Sequence, residues 1–154
     1  MRLSRFALIP AAALLVAACS SAGATPSTAG ATASSAPSAS TASTRVEVKL
    51  TDALRMEPVQ LTVPAGVPIT FVVTNSGAID HEFYLGDEKA QAEHEKEMAA
   101  MGGMAHDEPE GIALEPGETK ELTYTFQAAG QTLAGCHVAG HYGGGMKAAI
   151  TVEG

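Results

Sequence analysis

The side chains with the most distinctive chemistry lie near the C-terminus, on a glycine-rich stretch. Cys136, His141 and Met146 follow one another at intervals of five residues, and Gly143–Gly145 lie between the last two. A further histidine, His81, opens an earlier apolar segment. Two imidazoles, one thiolate and a weak axial thioether form the ligand set of a trigonal copper site, because soft sulfur suits Cu(I) and imidazole suits both oxidation states. These four side chains therefore predict a copper site.

Strands must position these donors, because the hydrophobic pattern of the chain has a period of two residues. Alternating or β-branched apolar residues form about seven short segments, at 46–50, 59–63, 69–74, 81–85, 121–126, 131–136 and 146–152. Turn sequences such as Pro116-Gly117 separate them. Short strands at such spacing predict an all-β fold, a Greek-key β-sandwich. A loop between two strands then supplies three donors, and its glycines permit the tight turns that this requires.

One segment departs from the strand pattern. Residues 87–101 are rich in Ala, Glu, Lys and Met and are followed by Gly102-Gly103, which predicts a short helical insertion from Asp87 to Met101. Imidazole and thioether groups gather in and just after it, at His94, Met98, Met101, Met104 and His106. Residues three or four apart share a helix face, so this group is a candidate secondary site for Cu(I). The alternative is that the methionines pack against the sandwich and the histidines are solvated.

The chain resembles the cupredoxins, the family of plastocyanin, azurin and pseudoazurin, over most of residues 45–154. The resemblance rests on the N-terminal strand, the segment from Pro58 to Gly66, the strand that begins at His81, the Pro116-Gly117 turn, and the loop from Cys136 to Met146 with the final strand after it. It implies a cupredoxin-like fold with one type 1 copper ion, bound by His81, Cys136, His141 and Met146.

Two departures from the family concern the neighbours of these ligands. The family often has Asn after its first histidine ligand, where it helps to fix the thiolate loop, whereas this sequence has Glu82. The four-residue gap between Cys136 and His141 is longer than the corresponding gap of plastocyanin. His137 lies beside the cysteine and points to the other face of a strand, where we expect an exposed or hydrogen-bonded histidine.

We do not expect an enzyme. Multicopper oxidases carry a His-Cys-His segment that feeds a trinuclear copper cluster, and the spacing around Cys136 resembles theirs. Gly135 replaces the first flanking histidine, however, and the five histidines include no His-x-His pair. Two functions remain. One is an electron carrier that exchanges electrons with a redox partner protein through the edge of His141. The other is a copper-binding protein or chaperone of copper homeostasis, with a copper donor or acceptor as its partner.

The N-terminus has the composition of a secretory signal. Two arginines precede an apolar stretch from Phe6 to Ala18, which is short for a membrane span. The sequence Leu15-Val16-Ala17-Ala18-Cys19 resembles the bacterial lipobox, which implies lipidation of Cys19. The alternatives are an ordinary signal peptide cleaved nearby, or a disulfide between Cys19 and Cys136. Residues 20–44 contain only Ser, Ala, Gly, Thr and Pro, a composition typical of a flexible linker.

Composition sets the remaining expectations. The chain has 154 residues, a net charge of −8 and no basic cluster, which argues against nucleic acid as a partner. We expect a signal peptide at 1–18, a lipid-anchored linker at 19–44 and one copper-binding domain at 45–154. We also expect a monomer, held outside the cytoplasm on the periplasmic or cell-surface side of the membrane by its lipid anchor.

Overall fold

The structure is a computed structural model and describes residues 44–154. Over this range the elements are β1 (Thr44–Thr51), β2 (Arg55–Glu57), β3 (Gln60–Pro64), β4 (Ile69–Asn75), β5 (His81–Gly86), α1 (Glu88–Ala100), β6 (Gly111–Leu114), β7 (Thr119–Tyr124), β8 (Gly130–Gly135) and β9 (Lys147–Glu153). One sheet has the strand order β2-β1-β4-β7 and the other the order β3-β9-β8-β5-β6. The predicted all-β sandwich with one helical insertion is confirmed.

The two sheets bury an aliphatic and aromatic core. The β1–β4 and β3–β9 pairs are parallel, and the other strand pairs of the described range are antiparallel. Phe71 and Phe83 come from different sheets, are fully buried, and have ring centroids 5.4 Å apart. Each such side chain contributes about 1.5–3 kcal/mol through burial. This core holds the ends of β5, β8 and β9, from which the candidate ligands project.

Helix α1 covers the outer face of the second sheet. Asp87 accepts a hydrogen bond from the Ala90 N–H at 2.8 Å and caps the helix. Of the helix residues, only Gln91, His94 and Met98 are buried. The Gln91 amide donates to carbonyl oxygens of β5 and β8 at 3.2–3.3 Å. The helix is therefore attached largely through polar contacts, and it buries the face of β5 that a two-layer sandwich would leave in water.

The predicted boundaries mostly agree with the structure. The insertion was expected at Asp87–Met101, and the helix spans Glu88–Ala100. The strands β2 and β6 were not predicted, because three or four residues are too few to show a period of two. The predicted signal peptide, the site at Cys19 and the linker up to residue 43 lie outside the described residues. Within the described range, no helix has the length and apolarity needed to cross a membrane.

Candidate metal centre

Three of the four predicted donors meet at one end of the sandwich. His81 opens β5, Cys136 follows β8, and His141 lies on the loop before β9. The Cys136 Sγ lies 3.4 Å from the His141 Nδ1 and 3.9 Å from the His81 Nδ1. Bond lengths of about 2.0–2.3 Å around one ion would separate sulfur from nitrogen by about 3.6–3.8 Å. The spacing therefore fits one transition-metal ion between the three side chains.

Met146 closes the loop that carries two of these donors. It is fully buried, its carbonyl oxygen accepts the Cys136 N–H at 3.1 Å, and its N–H donates to the His141 carbonyl at 3.0 Å. Gly140 and Gly145 have φ angles of +85° and +94°, which other residues rarely adopt. The loop thus returns tightly onto itself and places Met146 beside the cysteine in the fold.

Burial governs the protonation of the donors. It lowers the pKa of His81 and of His141, so both imidazoles are neutral near pH 7 and have a lone pair for a metal. Burial raises the pKa of the Cys136 thiol to about 12, against the effect of hydrogen bonds from the Glu82 and Val138 N–H groups. A metal ion must therefore displace the thiol proton in order to bind, as thiolate-binding metals do.

The loops that precede His81 fix its position. The Asn75 amide donates to the carbonyl oxygens of Ile79 and Leu114 at 2.8 and 3.1 Å, which shapes the turn before β5. The Asp52 carboxylate accepts the Ala78 N–H at 2.8 Å, and its Oδ1 lies 3.4 Å from the His81 Nε2. A carboxylate on the far ring nitrogen is a common orienting arrangement for a ligand histidine. Sequence reasoning missed Asp52, because nothing in its turn sequence connects it with a residue 29 positions later.

Glu82 supports the thiolate loop where the family often uses Asn. Its N–H donates to the Cys136 Sγ at 3.3 Å, and its Oε2 accepts the His137 N–H at 3.0 Å. Its Oε1 lies 2.9 Å from the His94 Nε2 on α1. The departure noted in the sequence therefore preserves the support of the loop and adds a connection to the helix.

His137 faces away from the other donors. It is 2% exposed, its Nε2 donates to the Gln91 Oε1 at 2.7 Å, and its Nδ1 contacts the Glu95 carboxylate. Its ring stacks on Tyr142 at 4.5 Å. The expectation of an exposed or hydrogen-bonded histidine is confirmed in its second form. His137 attaches the loop between β8 and β9 to α1. This role could be recognised only once the position of the helix was known.

The five groups of the insertion differ widely in environment. His94 and Met98 are each 1% exposed, whereas Met101 is 43% and Met104 72% exposed. The His106 side chain is 47% exposed, and its ring centroid lies 6.3 Å from that of His94. His94 stacks on Tyr84 and contacts carboxylates. A Cu(I) site formed by these thioethers and imidazoles stays a prediction.

The donor set defines the class of protein. One thiol, two neutral imidazoles and a buried methionine, at one end of a two-sheet sandwich, suit copper in both oxidation states. Residues 42–153 match the family of copper-binding proteins that includes plastocyanin and azurin, so the chain belongs to that family. Its predicted membership of the cupredoxins is confirmed.

The chain is also similar to particular copper proteins. The chain is 35% identical over 144 residues to the copper-resistant cuproprotein CopI of Pseudomonas aeruginosa, an alignment that covers 75% of this chain and 79% of that protein. It is 34% identical to the copper-resistant cuproprotein CopI of Rubrivivax gelatinosus, over 75% of this chain and 70% of the relative. Among solved structures, the dithionite-reduced auracyanin of Roseiflexus castenholzii aligns with a TM-score of 0.65 and 28% identity, over 73% of this chain and 98% of auracyanin. These relatives are copper proteins.

Proposed function

We propose that this chain serves copper resistance as a redox-active protein that holds one copper ion at a type 1 centre. The observation that carries the proposal is the buried donor set, in which the Cys136 Sγ lies 3.4 and 3.9 Å from two imidazole nitrogens. Copper bound there would supply one-electron chemistry, since thiolate and imidazole together suit Cu(I) and Cu(II). The relatives from Pseudomonas aeruginosa and Rubrivivax gelatinosus are named for copper resistance, which supports this role.

The surroundings of the donors favour retention of the metal. Glu82 holds both the thiol and the backbone of the next residue, and His137 ties the same loop to α1. Groups that are fixed before binding lose little entropy when they bind and rearrange little when the charge of the metal changes. We therefore propose a protein that keeps its copper and exchanges electrons. Release of the copper is not its main task.

His141 offers a route for electrons between the site and the surface. It is 8% exposed, and Ala139, Gly140 and Gly143 around it are exposed residues with little or no side chain. Such a small, weakly polar surface lets a partner approach the imidazole edge closely. A dedicated electron carrier between two proteins is the second candidate function, and this surface is the observation that favours it.

Growth in copper tests the proposal. A strain that lacks the gene should grow poorly in medium with raised copper, and the wild-type chain should restore growth while Cys136→Ser should not. Glu121→Gln, a change at an exposed surface ion pair, is the control and should restore growth fully. Unimpaired growth of the deletion strain would reject the resistance role and leave the electron carrier. Full rescue by Cys136→Ser would show that the thiolate site is not responsible.

Two measurements on purified protein separate both of these redox functions from that of a copper chaperone. Stopped-flow reduction and reoxidation of the copper-loaded protein gives the electron-exchange rate, and competition with a strong chelator gives the rate of copper loss. Rapid exchange with slow loss supports a retained redox centre. Rapid loss of copper to the chelator would instead support a copper chaperone.

A further inference from the structure

A second group of metal-binding side chains lies on the face of β5 opposite the copper ligands. Glu82 of β5, His94 of α1 and Glu108, which precedes β6, each offer one ligand atom, and these atoms lie within 4.8 Å of one another. Glu82 is fully buried, His94 is 1% exposed, and the Glu108 side chain is 23% exposed. Burying carboxylates on either side of an imidazole costs folding free energy unless their charge is balanced.

The two ring nitrogens of His94 have different contacts. Its Nε2 lies 2.9 Å from the Glu82 Oε1, within hydrogen-bond distance. The Nδ1, on the other side of the ring, faces Glu108. It is buried and has no hydrogen-bond partner, and it lies 3.3 Å from the Glu108 Oε1, which is also buried without a partner. Two buried polar atoms without a hydrogen-bond partner face each other, an arrangement that a cation between them would satisfy.

His106 places a third possible metal ligand close to the same Glu108 oxygen. Its Nε2 lies 3.4 Å from the Glu108 Oε1. Nitrogen and oxygen donors at about 2.0–2.1 Å from a tetrahedral ion are about 3.3–3.4 Å apart, which is the spacing of both pairs. A histidine that donates its other ring N–H to a carboxylate is the usual form of a metal-binding histidine, and Glu82 supplies that carboxylate. The Tyr84 ring, stacked on His94 at 3.8 Å with an angle of 2°, holds the imidazole in place.

We propose that His94 Nδ1, Glu108 Oε1 and His106 Nε2 bind a second, divalent transition-metal ion, with Glu82 orienting the His94 ring. Imidazole and carboxylate donors without sulfur suit Zn(II) and Cu(II), whereas Cu(I) is selected by thiolate and thioether donors. The site therefore needs none of the three methionines of the insertion. His106 is partly exposed, so an ion can enter from solvent on that side.

The test uses the purified protein already loaded with one Cu(II), so that the first site is filled. Zn(II) is titrated by calorimetry, and bound metals are counted by mass spectrometry after gel filtration. We expect the wild type to take up one zinc ion per chain without losing its visible band. Glu108→Gln and His106→Gln, both at partly exposed positions, should weaken zinc binding more than about tenfold. Glu93→Gln, the same charge change on the exposed face of α1, should have no effect.

One further variant and a second probe make the result specific. A variant with Met98, Met101 and Met104 all changed to Leu should bind zinc like the wild type. With Cu(II) as the probe, the second equivalent should give a tetragonal electron spin resonance signal with nitrogen couplings, and His106→Gln should remove one nitrogen. Absence of zinc uptake by the wild type, uptake unchanged in Glu108→Gln, or equal weakening in Glu93→Gln would each overturn the proposal. Visible and circular dichroism spectra establish that every variant is folded.

Discussion

Glu82 connects the thiolate loop with α1, and replacing its carboxylate tests how much that connection stabilises the protein. The residue is fully buried, and its Oε2 accepts the His137 N–H at 3.0 Å. Its Oε1 accepts the His94 Nε2–H at 2.9 Å. Glu82→Leu keeps much of the volume but removes both acceptors, so two buried donors lose their partners.

The magnitude follows from those two donors. Each unsatisfied buried N–H costs about 1–3 kcal/mol, so the Leu variant should lose about 2–6 kcal/mol of unfolding free energy. Glu82→Gln behaves differently, because its amide oxygen still accepts the His137 N–H. Its NH₂ group can donate to the His94 Nε2 once the ring moves its proton to Nδ1, where Glu108 faces it. The Gln variant should therefore lose only about 1 kcal/mol.

Urea unfolding of the copper-free proteins at neutral pH measures these differences, provided that the slope m is unchanged. Glu121→Gln is the matched control, because its carboxylate is 56% exposed and pairs with Arg45 on the surface. That change should cost at most about 1 kcal/mol. A Leu variant as stable as this control, or a Gln variant as destabilised as the Leu variant, would refute the account of Glu82.

Other changes test the candidate copper site and the predicted lipid anchor. Cys136→Ser should abolish the intense visible thiolate-to-copper band while the circular dichroism of the sandwich remains, and a coloured Ser variant would contradict the ligand assignment. Because burial raises the pKa of the Cys136 thiol from 9.0 to about 12, the folded copper-free protein keeps a proton that the unfolded chain loses above pH 9. Its stability should therefore fall by about 1.4 kcal/mol per pH unit between these values relative to Cys136→Ser, and equal slopes would show that the thiol is not the cause. Gly135→Ala would place a Cβ 2.3 Å from the Gln91 Oε1 and 2.9 Å from the Tyr142 ring. Calorimetry should therefore show a loss of about 1–3 kcal/mol in the free energy of unfolding. Cys19→Ala should move the protein out of the detergent-extracted membrane fraction, and unchanged fractionation would count against lipidation.

The candidate copper donors could be predicted from the sequence because local constraints determine them. Cys136, His141 and Met146 share one short loop, and both of its ends are strands with a period of two. His81 was found at long range only because it opens another such strand. The same periodicity predicted the sandwich, and the composition of residues 87–101 predicted the helix. Binary pattern and turn residues act over a few positions, so these features survive without tertiary information.

The support of the site is a different matter, because it depends on which elements meet. That Glu82 replaces Asn was visible in the sequence, but its contacts to His137 and His94 arise only when α1 packs on the outer face of β5. Strands β2 and β6 were too short to be detected in the sequence. Asp52 and Glu108, which contact His81 and His94, lie just before these two strands.

The sequence by itself determined the strand pattern, the helix and the four candidate copper donors, because each is encoded by residue type and local spacing. Only the tertiary structure decided the surroundings of those donors. It placed Asp52 beside His81, attached His137 to α1, and brought Glu108 next to His94. The physical reason is that the energy of a buried charge or hydrogen bond depends on the partner across the gap, and that partner comes from a distant part of the chain.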